Sequence, residues 1–402
     1  MPPVKKSDPA QARRHPASVP GRLSLVRADS SRVPTDSSRV QLEVNLQAIR
    51  RNFLQIHKTV KPAQVMAVLK ANAYGLGAVA VAEALVEAGA DRLGVAELKE
   101  AAQLAKRFGV PVQIIGGLLA SEIPTCVRLG VVCPLPDLET TKAVSREAKK
   151  QGRRAKVHIK IDTGMGRLGL PHFRAFQDIL QIRKLPGLIL EGIYSHFPNA
   201  NNPMHSKSKE QIGLFHGLLA DLKREGLVFP LVHMANSDGI NNFPEAYFNL
   251  VRTGINLYGV FDLSGLRSYK LSPSLSLKTT LIAKRRLPAG FTIGYGCTHT
   301  LFKDTWVGTV PAGYADGVPL AASNSGQVLI RGKACPIIGR VSMDYLTVDL
   351  NGCPASKVGD PVILVGKSGR EEITIEDWAR IKQTHPYEII CSLGNRVERV
   401  YR

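Results

Sequence analysis

From residue 40 onward, short apolar runs alternate with longer stretches in which apolar residues return every three or four positions. The runs at 40–44, 65–70, 92–97, 112–117, 131–135, 156–162, 189–196 and 231–235 are rich in Val, Ile and Leu and read as strands. Stretches at 78–87, 97–107, 140–151 and 209–225 carry the helical period. Eight strands with helical crossovers predict a parallel sheet, and the count fits an (α/β)8 TIM-type barrel. A doubly wound sheet gives a similar string. After Tyr258-Gly259 the texture changes. From about residue 271, Val, Thr, Ile and Gly dominate, with turn signals roughly every 8–12 residues, among them Gly332-Lys333, Asn351-Gly352 and Ser368-Gly369. This predicts a second, mainly β domain. The expected organisation is an arm over 1–40, a barrel over 41–262 and a β domain over 263–402, with the start of the barrel packed near the latter.

The arm lacks apolar periodicity and is rich in Pro, Ser, Arg and Ala, as in Ser30-Ser31-Arg32-Val33-Pro34. Such a composition predicts disorder. It also resembles a transit peptide, but Asp8, Asp29 and Asp36 argue against one. The chain of 402 residues is 44% hydrophobic, enough for a large core. No apolar run approaches the ~18 residues of a membrane span. Met1-Pro2-Pro3-Val4-Lys5-Lys6 is followed by no apolar stretch, so no signal peptide is expected. The six cysteines form no CxxC pair, so neither a metal site nor a disulfide framework is expected. The expectation is a soluble cytoplasmic protein. A formal charge of +20 raises nucleic acid as a partner. The basic residues are spread along the chain without a recognition motif, so no nucleic-acid partner is expected.

Chemistry concentrates where strands end. Val65-Met66-Ala67-Val68-Leu69 stops on Lys70, and a glycine-bearing turn follows. A lysine there either snorkels out or offers a rigid amine of lowered pKa, as Schiff-base chemistry needs. Tyr74, four residues on, can aim a hydroxyl at a phosphate. Gly164-Met165-Gly166-Arg167-Leu168-Gly169 fits G-x-G-x-x-G, and Glu191 lies near where a ribose-binding acid stands. A dinucleotide site needs that turn after the first strand of its domain, whereas this one follows the sixth. Gly366-Lys367-Ser368 ends like a P-loop, but Pro361 stands where its first glycine belongs. Asn236 and Ser237 open a short helix-like turn whose N–H groups suit a phosphate.

These segments, taken in order, resemble the alanine racemases, pyridoxal 5'-phosphate (PLP) enzymes of fold-type III. The resemblance covers roughly residues 40–399. It rests on Val68-Leu69-Lys70-Ala71-Asn72-Ala73-Tyr74-Gly75, Lys160-Ile161-Asp162-Thr163-Gly164-Met165-Gly166-Arg167, Tyr194-Ser195-His196-Phe197, His233-Met234-Ala235-Asn236-Ser237, Leu250-Val251-Arg252-Thr253-Gly254-Ile255, Gly294-Tyr295-Gly296, Gly313-Tyr314-Ala315-Asp316-Gly317 and Gly339-Arg340-Val341-Ser342-Met343-Asp344. It implies a barrel followed by a β domain, and reversible conversion of L-alanine to D-alanine by two-base proton transfer, supplying D-alanine for peptidoglycan. It implies Lys70 as Schiff-base lysine and base on one face, and Tyr295 as base on the other. Tyr74, Asn236, Ser237, Gly254 and Ile255 are implied as cofactor contacts. So are Arg252, at the pyridine nitrogen, and His196, in a chain between the catalytic tyrosine and Arg252. Arg167 and the Met343 N–H are implied to hold the substrate carboxylate, with Tyr314 near the entry and Lys160 carbamylated. The tyrosine enters the partner's site, which implies a homodimer with shared active sites. Three positions depart from the family: Leu76 for a histidine, Thr253 for a proline, and Asn395 for a phosphate-binding tyrosine. Open alternatives are a racemase for serine, lysine or a broader set, a fold-type III decarboxylase, and a non-catalytic PLP carrier. The decarboxylases typically carry a glycine triplet and an acid at the pyridine nitrogen; this chain has no such triplet, and Arg252 at that position.

Overall fold

A computed structural model describes residues 38–402 except residue 265. The expectation of a disordered arm falls on residues 1–37, outside the described ones. Among strands of three or more residues, β1 is Gln41–Val44. The barrel follows as β2 Gln64–Val68, β3 Arg92–Val95, β4 Val112–Ile114, β5 Cys133–Leu135, β6 Ala155–Asp162, β7 Leu188–Tyr194, β8 Leu231–His233 and β9 Leu250–Thr253. Strands β9-β2-β3-β4 and β5-β6-β7-β8 form two parallel arcs. A bridge from Gln113 to Val132 joins them on one side. The Arg252 N–H donates to the Ala235 carbonyl at 3.0 Å on the other, which closes the ring.

The eight barrel strands differ from the expected eight in one member. Residues 41–44 do not enter the barrel. Strand β1 pairs antiparallel with Leu275–Thr280 (β10) and parallel with the C-terminal strand Glu398–Tyr401. Its burial alternates, with Leu42 and Val44 inward and Gln41 and Glu43 half-exposed. That alternation belongs to a sheet with one wet face, whereas Arg92–Val95 and Leu250–Thr253 are buried throughout. The eighth barrel strand is therefore β9. It was not among the expected strands, because it is four residues long and carries a charged Arg252 in its interior.

In the β domain, one sheet runs Lys333–Pro336, Gln327–Ile330, Pro361–Ser368, Leu275–Thr280, Gln41–Val44, Glu398–Tyr401, with Glu371–Ile373 beside Pro361–Ser368. A second, three-stranded sheet holds Ala283–Leu287, Thr305–Val310 and Leu346–Asp349. One apolar core runs from the barrel into this domain. Buried Asn52, on the helix Leu46–Val60, ties the junction. Its Nδ2 donates to the Leu257 and Ser272 carbonyls at 3.0 and 2.8 Å, and its Oδ1 accepts from the Ser272 N–H at 2.8 Å. The last strand clamps the loop after Lys70. Arg399 Nε donates to the Gly75 carbonyl, and the Tyr401 hydroxyl to that of Leu76, each at 3.0 Å. Leu76 itself is fully buried, which accounts for an apolar residue in that position. No helix among the described residues is long and apolar enough to cross a membrane.

Candidate active site

Strand β2 ends at Val68, so Lys70 stands just past it at the mouth of the barrel, where such folds carry their chemistry. It is followed by a turn that L-residues rarely adopt: Ala71, Asn72, Ala73 and Tyr74 all have φ between 53° and 58°. Left-handed geometry costs roughly 1–2 kcal/mol per residue, so neighbours must impose it. The Glu100 carboxylate accepts from the N–H groups of Ala71 and Ala96, and Asn72 Oδ1 accepts from the Ala78 N–H at 2.8 Å. The turn leaves the Lys70 side chain exposed toward a cavity and buries Tyr74 edge-on to Tyr258, with ring centroids 5.4 Å apart. Surrounding protein lowers the Lys70 pKa, with the nearby Arg167 charge adding to the effect.

The cavity holds about 500 Å³, room for a drug-sized ligand. Lys70, Tyr74, Arg167, His196, Asn236, Ser237, Arg252 and Gly254 all line it. Arg252 is buried beneath it. Its Nη1 meets His233 Nδ1 at 2.8 Å. Its Nη2 donates to the carbonyls of Ser195 and Met234, each at 2.9 Å, and meets His196 Nδ1 at 3.1 Å. Burial lowers its pKa to about 10, still well above neutrality. Burial and then the Arg252 charge hold His196 and His233 well below the usual histidine value, so both are neutral acceptors.

The G-x-G-x-x-G segment is a carboxylate-capped turn. Asp162, at the end of β6, accepts from the N–H groups of Gly164 and Met165 at 2.8 Å and of Gly166 and Arg167 at 3.2 Å. Partial burial alone raises its pKa, but those donors outweigh it and hold the carboxyl low. The turn delivers Arg167 to the cavity wall. Arg167 has no carboxylate at salt-bridge distance among the described residues. Lys160 is buried in the same strand. Its amine lies 4.6 Å from the centroid of the Tyr194 ring, with no acid in salt-bridge contact among the described residues. Burial, then Arg252 and Arg167, lower its pKa to about 7.

Ile255 is buried next to Gly254 without lining the cavity, and three expected site residues lie on the β domain of the same chain. Tyr295, Tyr314 and Met343 are 72%, 47% and 52% exposed on the β domain. Tyr295 lines a depression with Gly294, Arg340, Ser342, Tyr345 and Thr347, none of which borders the Lys70 cavity. Asn395 is exposed and does not line that cavity either. Conversely, Asp238, Asp262, His385 and Tyr387 line the cavity without having been singled out. Tyr387 reaches it from the β domain and lies 6.0 Å from Tyr74, ring to ring. Nothing in its local sequence signals that contact.

The residues present fit PLP. Gly254 leaves a cradle at the Tyr74 hydroxyl: a Cβ there would lie 2.2 Å from that oxygen. The Ser237 hydroxyl sits 3.0 Å from the Gly254 N–H. Hydroxyls and open backbone suit a phosphate, Lys70 offers the amine an aldehyde needs, and Arg252 offers a buried cation.

A parallel barrel carries an amine at its mouth, the end where barrel enzymes hold their chemistry, and a β domain shares its core. The family model for the alanine racemase N-terminal domain matches residues 44–262, and that for the C-terminal domain matches 274–401. The chain is 39% identical to an alanine racemase of Symbiobacterium thermophilum over 362 residues, 89% of this chain and 96% of that one. The alanine racemase structure from the D-cycloserine-producing Streptomyces lavendulae superposes with a TM-score of 0.85 at 34% identity, over 91% of this chain and 97% of that one. That from Bartonella henselae, with covalently bound pyridoxal phosphate, gives 0.82 at 31%, over 90% and 99%. The chain belongs to the alanine racemase family, a family of isomerases.

Proposed function

We propose that this protein interconverts L-alanine and D-alanine with PLP as cofactor, in the cytoplasm, supplying D-alanine for peptidoglycan. The observation that carries the reading is the shared cavity: the Lys70 amine, the Arg167 guanidinium, which meets no carboxylate among the described residues, and the buried Arg252 all face one space. Bound PLP supplies an electron sink that acidifies the α-proton of an attached amino acid. Lys70 would hold its aldehyde carbon; Tyr74, Ser237, Asn236, Gly254 and Ile255 would hold its phosphate; Arg252 would face its ring nitrogen. Arginine keeps its proton, so it stabilises the ring without protonating it, which favours simple removal and return of the α-proton.

Inversion requires a base on each face of the α-carbon. Lys70 takes one face, its lowered pKa making a neutral amine accessible. Tyr295 of a second copy takes the other. A phenol near pKa ~10 is a poor base at neutral pH. Arg252 donates to His196 Nδ1, which leaves the proton on His196 Nε2 free to stabilise a phenolate. Arg167 holds the substrate carboxylate, aided by the partner's Met343 N–H, with the partner's Tyr314 at the entry. Carbamylated Lys160 becomes an anion that fixes Arg167. The active unit is a homodimer with two shared sites.

Purified, PLP-loaded protein in D2O tests this, with L-alanine, L-serine and L-lysine in parallel. The expected result is deuterium exchange with inversion, strongest for alanine. Inversion strongest with serine or lysine moves the substrate. Exchange without inversion removes Tyr295 from its role. No exchange with any amino acid refutes the enzyme reading.

A further inference from the structure

Four side chains run in line from Arg252 through the barrel interior. Arg252 Nη1 meets His233 Nδ1 at 2.8 Å. His233 Nε2 meets His158 Nδ1 at 2.8 Å. His158 Nε2 meets a Glu191 carboxylate oxygen at 3.1 Å. Both imidazoles are fully buried. The ends set the direction of every proton. Arginine can only donate, so His233 Nδ1 must be bare and Nε2 protonated. His158 Nδ1 must then accept, which puts its proton on Nε2, facing a carboxylate that can only accept. The reverse arrangement opposes an N–H to an N–H at Arg252. The line is therefore consistent in one sense only, with two neutral rings between a cation and an anion.

The surroundings are built for this line. Arg92 donates two hydrogen bonds to Glu191, at 2.7 and 2.9 Å, and Lys156 lies 3.4 Å from its other oxygen. These cations keep Glu191 ionised. Arg92 Nη1 also lies 3.3 Å from His158 Nε2, a donor beside a donor once the tautomer is set. At Gly192 a Cβ would fall 2.5 Å from the His158 ring, so the strand omits a side chain where the imidazole lies. Tyr194 stacks on His233 at 4.7 Å with an interplanar angle of 2°, fixing the second ring. Two carbonyls hold Arg252 Nη2, whereas Nη1 has His233 as its partner.

We infer that Glu191, acting through His158 and His233, is a positioning residue that orients the Arg252 guanidinium for the pyridine nitrogen of the cofactor. The inference rests on the PLP reading given above. With Glu191 gone, the His158 Nε2–H loses its acceptor and faces the Arg92 donor, so only Arg252 still sets the sense of the line, and the opposite tautomer, which turns an N–H toward Arg252, gains weight.

The test uses Glu191→Leu, Glu191→Gln and His158→Leu in the full chain. PLP affinity is read by absorbance titration of the apoprotein, and histidine tautomers by 15N NMR of the apoprotein. Glu191→Leu and His158→Leu are expected to weaken PLP binding at least about tenfold, the scale seen when the outer hydrogen-bonding partner of a metal-binding histidine is lost. Glu191→Gln keeps an acceptor oxygen and is expected to stay within about threefold. In the unaltered protein both rings show the Nε2–H form, and the Leu variant at 191 mixes the forms. His158→Leu leaves the Arg92–Glu191 pair intact, so it decides the matter if Glu191→Leu does not fold. A purely structural role lowers thermal stability in the variants and leaves PLP affinity unchanged, which overturns the inference. Unchanged tautomers in Glu191→Leu overturn it equally. Failure of the unaltered protein to bind PLP refutes the cofactor reading instead, while the 15N spectra still report whether Glu191 orders the rings.

Discussion

Lys70 and Lys160 sit in one barrel and face opposite demands. Lys70 opens to the cavity, whereas Lys160 is buried among cations with a pKa near 7. Linkage fixes the sign of the consequence. Between pH 7 and 10.5 the unfolded chain holds a proton on Lys160 that the native protein lacks, so native stability rises with pH across that window. Below pH 7 the native state must bury the charge. In CO2-free buffer, Lys160→Met is expected to remove this slope and to stabilise the protein most at low pH, by up to roughly 5 kcal/mol. Denaturation curves at pH 6 and 9 check it; equal slopes in both proteins contradict it. A neutral amine is also what carbamate formation requires. With 13C-bicarbonate, a protein-bound carbonyl signal present in the parent and lost in Lys160→Met is expected, and its absence rejects the modification. The lysine was legible in the sequence through its motif. Its lack of an acid partner among the described residues was not, because that depends on which strands neighbour β6.

The turn after β2 shows what a short element can store. Ala71 is exposed and has φ 53°, a conformation glycine adopts freely. Ala71→Gly is expected to raise stability by about 0.5–1 kcal/mol and to loosen the Lys70 turn. Denaturant titration checks the first; unchanged or lower stability shows that Glu100 and Asn72 leave no strain to relieve. The same comparison explains the misread strand. Strand β1 carries the alternation of a half-wet sheet and β9 the unbroken burial of a barrel stave. Both are four residues long, too short for period alone to place them. His158 and Lys160 did carry a readable signal. Two positions apart on one strand, they must face the same side. Glu191, read as a possible ribose acid, ends instead against His158 and Arg92.

The β domain holds Tyr295 away from the Lys70 cavity of its own chain. If a second copy completes each site, two inactive variants must complement. Lys70→Ala and Tyr295→Phe are expected to be nearly inactive alone. Mixed after dissociation and reassociation, half the dimers are mixed, and each contains one intact site. Activity of roughly a quarter of the parent's is then expected. Mixed dimers verified by mass but as inactive as either variant refute shared sites.

The order of motifs was enough to read a barrel, a β domain and the chemistry of an amine beside an arginine. Those are local properties, carried by side-chain type, strand ends and turn residues. Four features needed the folded chain: the place of β1, the Glu191–His158–His233–Arg252 line, the arrival of Tyr387 at the cavity, and the distance of Tyr295 from it. Three are contacts between segments far apart in sequence, and the fourth is a separation set by the same packing. Strand order in the barrel and sheet order in the β domain create those contacts, and neither order is written in the period of any single segment.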